Sequence, residues 1–267
     1  MTHQQIIEKA WCNDLPLSDL IVQKTIELCI ENLDRGVFRI AKCLDNGTWQ
    51  INDYLKKAIM LYFKTKKLNI IESGQIEYYD KIPLKQNFSK LEVRVVPPAI
   101  VRYGTFLGNG VVLMASYVNI GAYIDENTMI DIHASIGSCA QLGKNIHVSA
   151  GAVIGGVLEP IQAKPVIIED GVFIGAGCHI VEGVHIAKEA VIGSNVTITS
   201  STRIIDVTQE NPKEYKAYVP ERSIVISGTY AKQFPAGNFN VACALIIGSR
   251  TASTNAKVTL NEVLRDF

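Results

Sequence analysis

A large apolar residue returns at every sixth position through "VNIGAYIDENTMIDIHASIGSCAQLG", residues 118–143: Val118, Ile124, Ile130, Ile136 and Leu142. The same phase reaches back through Val112 and Phe106 to Ile100 and forward to Val148 and Ile154. It resumes at Ile168 and continues through Ile174, Ile180, Ile186, Ile192 and Ile198 to Ile204. All 17 sampled positions are large and apolar, a run with a chance probability on the order of 10⁻⁵ when about half of residues are apolar. Helices repeat at about 3.6 residues and strands at 2. Simple alternation fails because Arg102, Glu126 and Lys144 stand two places after the stripe. Four places after it come small groups such as Gly104, Gly110, Ala122, Ala134 and Ala140. One large and one small inward residue per six suits a short flat side followed by a sharp corner. Three such sides close a triangular coil, so the pattern predicts a parallel β-helix of roughly six coils rather than a sandwich of ordinary short strands.

Between Ile154 and Ile168 the step is 14 where two further repeats would need 12, and "GGVLEPIQAKPVI" carries a Gly pair and two prolines. That composition predicts a loop leaving the coil, a natural place for function on a rigid solenoid. Before the coils, "IIEKAW", "LIVQKTIELCIENLDRG" and "DYLKKAIMLYFKT" read as amphipathic helices, with Gly36 as a C-terminal cap and Asp53 as an N-cap. "GVFRIAKCL" and "TWQIN" read as a hairpin with a two-residue turn at Asn46-Gly47. After the coils "SIVISG" and "FNVACALIIG" read as strands joined by a mobile loop, "TYAKQFPAGN", and "TLNEVLRD" as a short helix. The expected division is a mostly helical domain at 1–95, the β-helix at 96–206 and a C-terminal β segment with a short helix at 207–267.

Charge narrows the function classes. The 26 basic side chains balance the 26 acidic ones, which argues against a nucleic-acid surface or a polybasic membrane anchor. The start lacks the charged-then-apolar pattern of a signal peptide, and no apolar run approaches the roughly 18–20 residues of a membrane span. The six cysteines are scattered with no CxxC pair and read as reduced thiols. The cytoplasm is the expected address.

Within the repeats, Asp131 directly follows inward Ile130 and is a candidate site residue. It can equally be a turn-forming aspartate, as Asp125 at the same offset one side earlier illustrates. A zinc site from His147, His179 and His185 is disfavoured. His179 and His185 are six apart on different sides, and this spacing gives no convergence of three nitrogens at about 2.0–2.1 Å from one ion.

The stretch "RVVPPAIVRYGTFLGNGVVLMASYVNIGAYIDENTMIDIHASIGSCAQLGKNIHVSAGAVIGGVLEP" resembles the bacterial tetrahydrodipicolinate N-succinyltransferases. So do "RGVFRIAKCLDNGTWQINDYLKKAIMLYF", "YYDKIPLK" and "KVTLNEVLR", so the resemblance covers nearly the whole chain. It implies a left-handed β-helix, a homotrimer with sites between subunits, and transfer of the succinyl group of succinyl-CoA to the amino group of L-2-amino-6-oxopimelate, the ring-opened form of tetrahydrodipicolinate. Succinyl-CoA would be a co-substrate, with no permanently bound cofactor and no metal. Other hexapeptide acyltransferases, with an acetyl donor or a sugar-nucleotide acceptor, and a non-catalytic scaffold are the competing readings. The resemblance assigns Arg94 to a substrate carboxylate and Asp131 to the acceptor's amino group. Gly155 and Gly156 are expected along the pantetheine arm and Lys257 at a coenzyme A phosphate.

Two departures stand out. Where family members have "GARSEVVEG", with its glutamate the second catalytic carboxylate, this chain has "GAGCHIVEGV", which puts His179 at the glutamate's place and Gly177 at an arginine's. Either His179 serves as the base, for which an imidazole with a reference pKa of about 6.5 is competent, or Glu182 swings in, or Asp131 acts alone. A histidine cannot form an acyl anhydride, so a glutamyl-acyl intermediate is put in doubt. The second departure is "TNAK" at 254–257 in place of Thr-Arg-Gly-Lys, which shifts the phosphate contact onto Lys257.

Overall fold

The computed structural model describes residues 1–161 and 163–251. It is a left-handed parallel β-helix with helices at its N-terminal end and a β ribbon at its C-terminal end. Two-residue strands stack into three flat faces. Face one runs from Arg94–Val95 through Val112–Leu113, Met129–Ile130, His147–Val148, Phe173–Ile174 and Val191–Ile192 to the start of the long strand Ser223–Phe234. Face two runs from Ile100–Val101 to Thr197–Ile198, and face three from Phe106–Leu107 to Tyr218–Val219. The second residue of each pair points inward. Ile124, Ile130, Ile136, Leu142, Val148, Ile154, Ile168, Ile174, Ile180, Ile186, Ile192 and Ile198 are all buried in one continuous core. Each fully buried Ile or Leu contributes roughly 1.5–3 kcal/mol relative to exposure, which explains why the stripe is so regular. Corners repeat with it: Asn127, His133, Cys139, Asn145, Asn195 and Glu189 take left-handed backbone at φ between 55° and 67°.

The six-residue phase is right from Val118 onward and one residue off before it. In the first coil Val101, Leu107 and Leu113 face inward, not Ile100, Phe106 and Val112. The corner from Leu113 to Val118 takes five residues, so Tyr117 stacks on Ile100.

The interruption is also larger than the step of 14 suggests. Ile154 and Ile168 occupy neighbouring sides, and Leu142 pairs with Ile168 at a separation of 26 rather than 18, so eight residues are extra. A second excursion follows Ile198, and the chain rejoins the prism at Val219 and Val225. Solenoid pairing thus extends on both sides of the span 96–206.

The N-terminal helices are α1 (His3–Trp11), α2 (Leu20–Asp34) and α3 (Asp53–Thr65). Thr2 and Gln5 form a capping box on α1, and Asn52 rather than Asp53 is the cap residue of α3. Asp53 instead pairs with Lys56 at 2.9 Å. Lys56, wholly buried, also donates to the carbonyls of Ile161 and Ala163, which ties the excursion to the helical domain.

The first hairpin, Ala41–Cys43 with Trp49–Ile51, closes through three residues, not two: Leu44 N–H donates to Thr48 and Gly47 takes φ +78°. A second hairpin, Asn69–Ser73 with Ile76–Asp80, was not foreseen. The C-terminal ribbon pairs Ser223–Phe234 with Gly237–Ser249, so most of the expected loop "TYAKQFPAGN" is strand. The expected helix in "TLNEVLRD" lies outside the described residues.

The helical domain covers one corner of the prism. Its apolar cluster takes in Ile120, Cys139 and Val157, all between faces two and three. The corner between faces one and two stays open, with Ile132 43% exposed and His133 exposed. No described helix is long and apolar enough to cross a membrane.

All six cysteines are free; Cys12 and Cys43 are exposed and the other four buried. Burial pushes Cys29 and Cys139 up to about 12 and raises Cys178 and Cys243. Thiolate is the reactive form, so an aromatic disulfide reagent at pH 8 is expected to titrate two thiols promptly and six after denaturation. Four or more prompt thiols would contradict this packing.

Candidate active site

The open corner is where Asp131 sits. Its backbone N–H donates to Val148 at 2.9 Å, which fixes it on the coil, and its Oδ1 accepts from Ile132 N–H at 2.7 Å. Asp125 makes the same bond to Glu126 N–H at 2.9 Å, so the turn role is real at both positions. What distinguishes Asp131 is its second oxygen. Oδ2 lies 3.8 Å from His147 Nε2, with the aspartate side chain 29% and the histidine 22% exposed.

Arg94 lies on the same face, exposed, with its strand paired to Val112–Leu113 and through it to Met129–Ile130. It therefore stands two strands, about 10 Å, from the rung that leads into Asp131. His179 projects outward from face two between Val153 and Thr197 and is exposed. From Ser135, the face-two strand that follows Asp131, two rungs lead to His179 through Val153. One chain therefore does not bring Asp131 and His179 into contact.

Glu182 has a partner within its own chain. Its Oε2 accepts from Ser200 N–H at 3.2 Å and Ser200 O–H at 2.6 Å, which holds it at the next corner.

Gly155 and Gly156 open the excursion beside His179, where Gly155 N–H donates to Ile180. Both glycines have a packing reason within the chain. A Cβ on Gly155 would lie 2.9 Å from Val181, and one on Gly156 would lie 2.6 Å from Ser138 N. Lys257 lies outside the described residues. Among the described residues, no group of His, Cys, Asp and Glu could hold a metal ion.

Face three carries a polar cluster that sequence reasoning missed. Glu169 Oε1 accepts from Trp49 Nε1 at 3.3 Å and lies 2.7 Å from His185 Nε2, while Oε2 accepts from Lys188 N–H at 3.1 Å. Burial pushes Glu169 upward, but the His185 contact and the two N–H donors outweigh it and hold the carboxyl below its usual range. Buried Gln141 does similar work, with Oε1 accepting from Arg39 Nε at 3.0 Å and Nε2 donating to the Cys139 carbonyl at 3.0 Å. Arg39 also lies over the Tyr123 ring, 3.8 Å from its centroid. Both clusters fasten the first hairpin to face three and leave the Asp131 corner clear. Residues 120 apart in sequence make the Trp49–Glu169 bond, and nothing in the local pattern announces it.

Comparison with known proteins adds a second line. The family described as "Tetrahydrodipicolinate N-succinyltransferase N-terminal" matches residues 2–65, and "Hexapeptide repeat of succinyl-transferase" matches residues 165–200. The 2,3,4,5-tetrahydropyridine-2,6-dicarboxylate N-succinyltransferase of Acinetobacter baylyi is 46% identical over 250 residues, covering 91% of this chain and 90% of that one. That of Polynucleobacter asymbioticus is 43% identical over 274 residues, covering 98% of each chain. That of Sodalis glossinidius is 44% identical over 253 residues, covering 92% and 90%.

Proposed function

The chain belongs to the tetrahydrodipicolinate N-succinyltransferase family, and from that premise we propose how its open corner carries out the transfer. The enzyme is an acyltransferase that moves the succinyl group of succinyl-CoA to the amino group of L-2-amino-6-oxopimelate in diaminopimelate and lysine synthesis. Asp131 binds the acceptor's ammonium group and takes a proton from it. The freed amine attacks the thioester carbonyl, the attacking nitrogen gives up a second proton that passes to the departing sulfur as the C–S bond breaks, and coenzyme A leaves as the thiol. Arg94, on the same face, holds an acceptor carboxylate through its planar fork. The observation that carries this reading is the open corner at Asp131, whose carboxylate is partly exposed while its backbone is fixed by the coil.

His179 enters from a neighbouring copy. The active form is a homotrimer in which His179 of the partner subunit faces Asp131 and serves as a general base. The separation of the two residues within one chain supports that arrangement. The pantetheine arm runs past Gly155 and Gly156, and Lys257 meets a coenzyme A phosphate. The enzyme works in the cytoplasm.

A thiol-release assay tests the reading. Purified protein is given succinyl-CoA or acetyl-CoA with L-2-aminopimelate as a stable acceptor analogue, with and without EDTA. Acceptor-dependent release with succinyl-CoA, unaffected by EDTA, is expected. Release with acetyl-CoA alone would reassign the donor, and no acceptor-dependent release would overturn the acceptor. His179→Ala with unchanged kcat/KM would remove His179 from the mechanism. Light scattering that showed a stable, active monomer would contradict the shared site.

A further inference from the structure

We propose that His147 is a positioning residue for Asp131, fixing the carboxylate's second oxygen before the acceptor arrives. This inference rests on the assignment of Asp131 to the acceptor's amino group. The coil places the two side chains on successive rungs of face one, because His147 stacks on Met129 and Asp131 follows two residues later. Ile132 N–H holds Oδ1 at 2.7 Å, and His147 Nε2 stands 3.8 Å from Oδ2. Each carboxylate oxygen thus has its own neighbour, one from the backbone and one from a side chain.

His147 is itself held. Its backbone N–H donates to Val172 at 3.2 Å, and its ring lies against Phe173, with centroids 5.3 Å apart at 42°. Asp125 has the equivalent backbone bond. The rung above it presents Gln141 in place of an imidazole, and that side chain is turned to Arg39 and to backbone carbonyls. The imidazole is therefore what separates Asp131 from an ordinary corner aspartate. A carboxylate bonded at Oδ1 and flanked by an imidazole 3.8 Å from Oδ2 has fewer orientations to lose when it receives an ammonium group, which is the benefit of preorganisation.

A double-mutant cycle tests this with the full-length enzyme and the thiol-release assay. His147→Phe keeps a ring over Phe173 and removes the nitrogen. It is expected to lower kcat/KM for L-2-aminopimelate about five- to tenfold, mainly through KM, and to leave the KM for succinyl-CoA unchanged. His147→Gln, which restores an N–H near Nε2, should recover most of that loss. In the Asp131→Asn background, His147→Phe should add less than about twofold, because residues that act through one another are not additive. A full additive loss there would assign His147 a packing role and overturn the proposal, as would wild-type acceptor KM in His147→Phe. If Asp131→Asn alone is silent, both the site assignment and this inference fall together. A deficient Asp131→Asn beside a silent His147→Phe sinks the inference alone. Thermal melting of each variant identifies any loss that comes from unfolding.

Discussion

Asp131→Asn is expected to lower kcat/KM about 10²- to 10³-fold, within the range of a lost general base, while thermal stability stays within about 2 °C of wild type. The asparagine is isosteric, and its Oδ1 can still accept the Ile132 N–H that the aspartate accepts at 2.7 Å. The turn survives, and the charge that binds the ammonium does not. The Asp125→Asn variant supplies the comparison, because Asp125 makes the same turn bond to Glu126 N–H on a corner without His147. It should retain activity within about twofold. Equal losses in the two variants would show that the aspartates serve the coil and not the reaction, and the assignment of Asp131 would be wrong.

Gly137→Ala is expected to have the largest effect on stability, on the order of 3 kcal/mol, which lowers Tm by about 6–12 °C for a domain of this size. A Cβ at Gly137 would overlap the Gly156 amide nitrogen and Cα, which are backbone atoms that cannot rotate away. Gly151→Ala separates this clash from ordinary glycine conformational cost. Gly151 takes φ +67° but a Cβ there meets nothing within 4 Å, so only the left-handed backbone penalty of roughly 1–2 kcal/mol applies. Equal melting shifts in the two variants would mean that the excursion at 155–166 yields to the added methyl. It would then be less firmly seated than its ties to Lys56 indicate.

The prism was legible because its physics is repetitive: each side buries one large residue, so the sequence repeats the demand every six positions. The phase of the first coil was not legible, for an equally physical reason. In Ile100–Val101, Phe106–Leu107 and Val112–Leu113 both members of each pair are apolar, so hydrophobicity alone cannot say which one points inward. From Tyr123–Ile124 through Ser135–Ile136 and Gln141–Leu142 to His147–Val148, most outward members are polar or carry a polar tip, and the ambiguity disappears. The excursion itself was announced by its Gly pair and prolines, but its size was not, because one side plus eight extra residues makes a step of 14, close to the 12 of two further sides.

The missed hairpin at 69–80 did leave a signal. Gly74, at φ +63°, sits between "NIIES" and "IEYYD", two short strand-like runs. Within the site, Asp131 came from the family resemblance and from its corner offset, but its neighbour His147 becomes visible only once the 18-residue coil is laid out and His147 falls on Met129. The Glu169–Trp49–His185 cluster depends on how the hairpin folds back onto face three, which no local pattern encodes.

The return of the chain after residue 154 has a mechanical consequence. A coil of three sides works like the thread of a screw, in which any residue's azimuth is set by how many sides precede it. Eight extra residues leave and rejoin at one corner without consuming a side, so Ile168 still stacks on Leu142 and Ile180 on Ile154. The half of the prism that carries Asp131 and the half that carries His179 therefore keep their relative rotation whatever the length of the excursion. One added six-residue side would turn everything beyond it by about 120° and point His179 along a different face. Length at the corners is free to vary, and the count of sides is not.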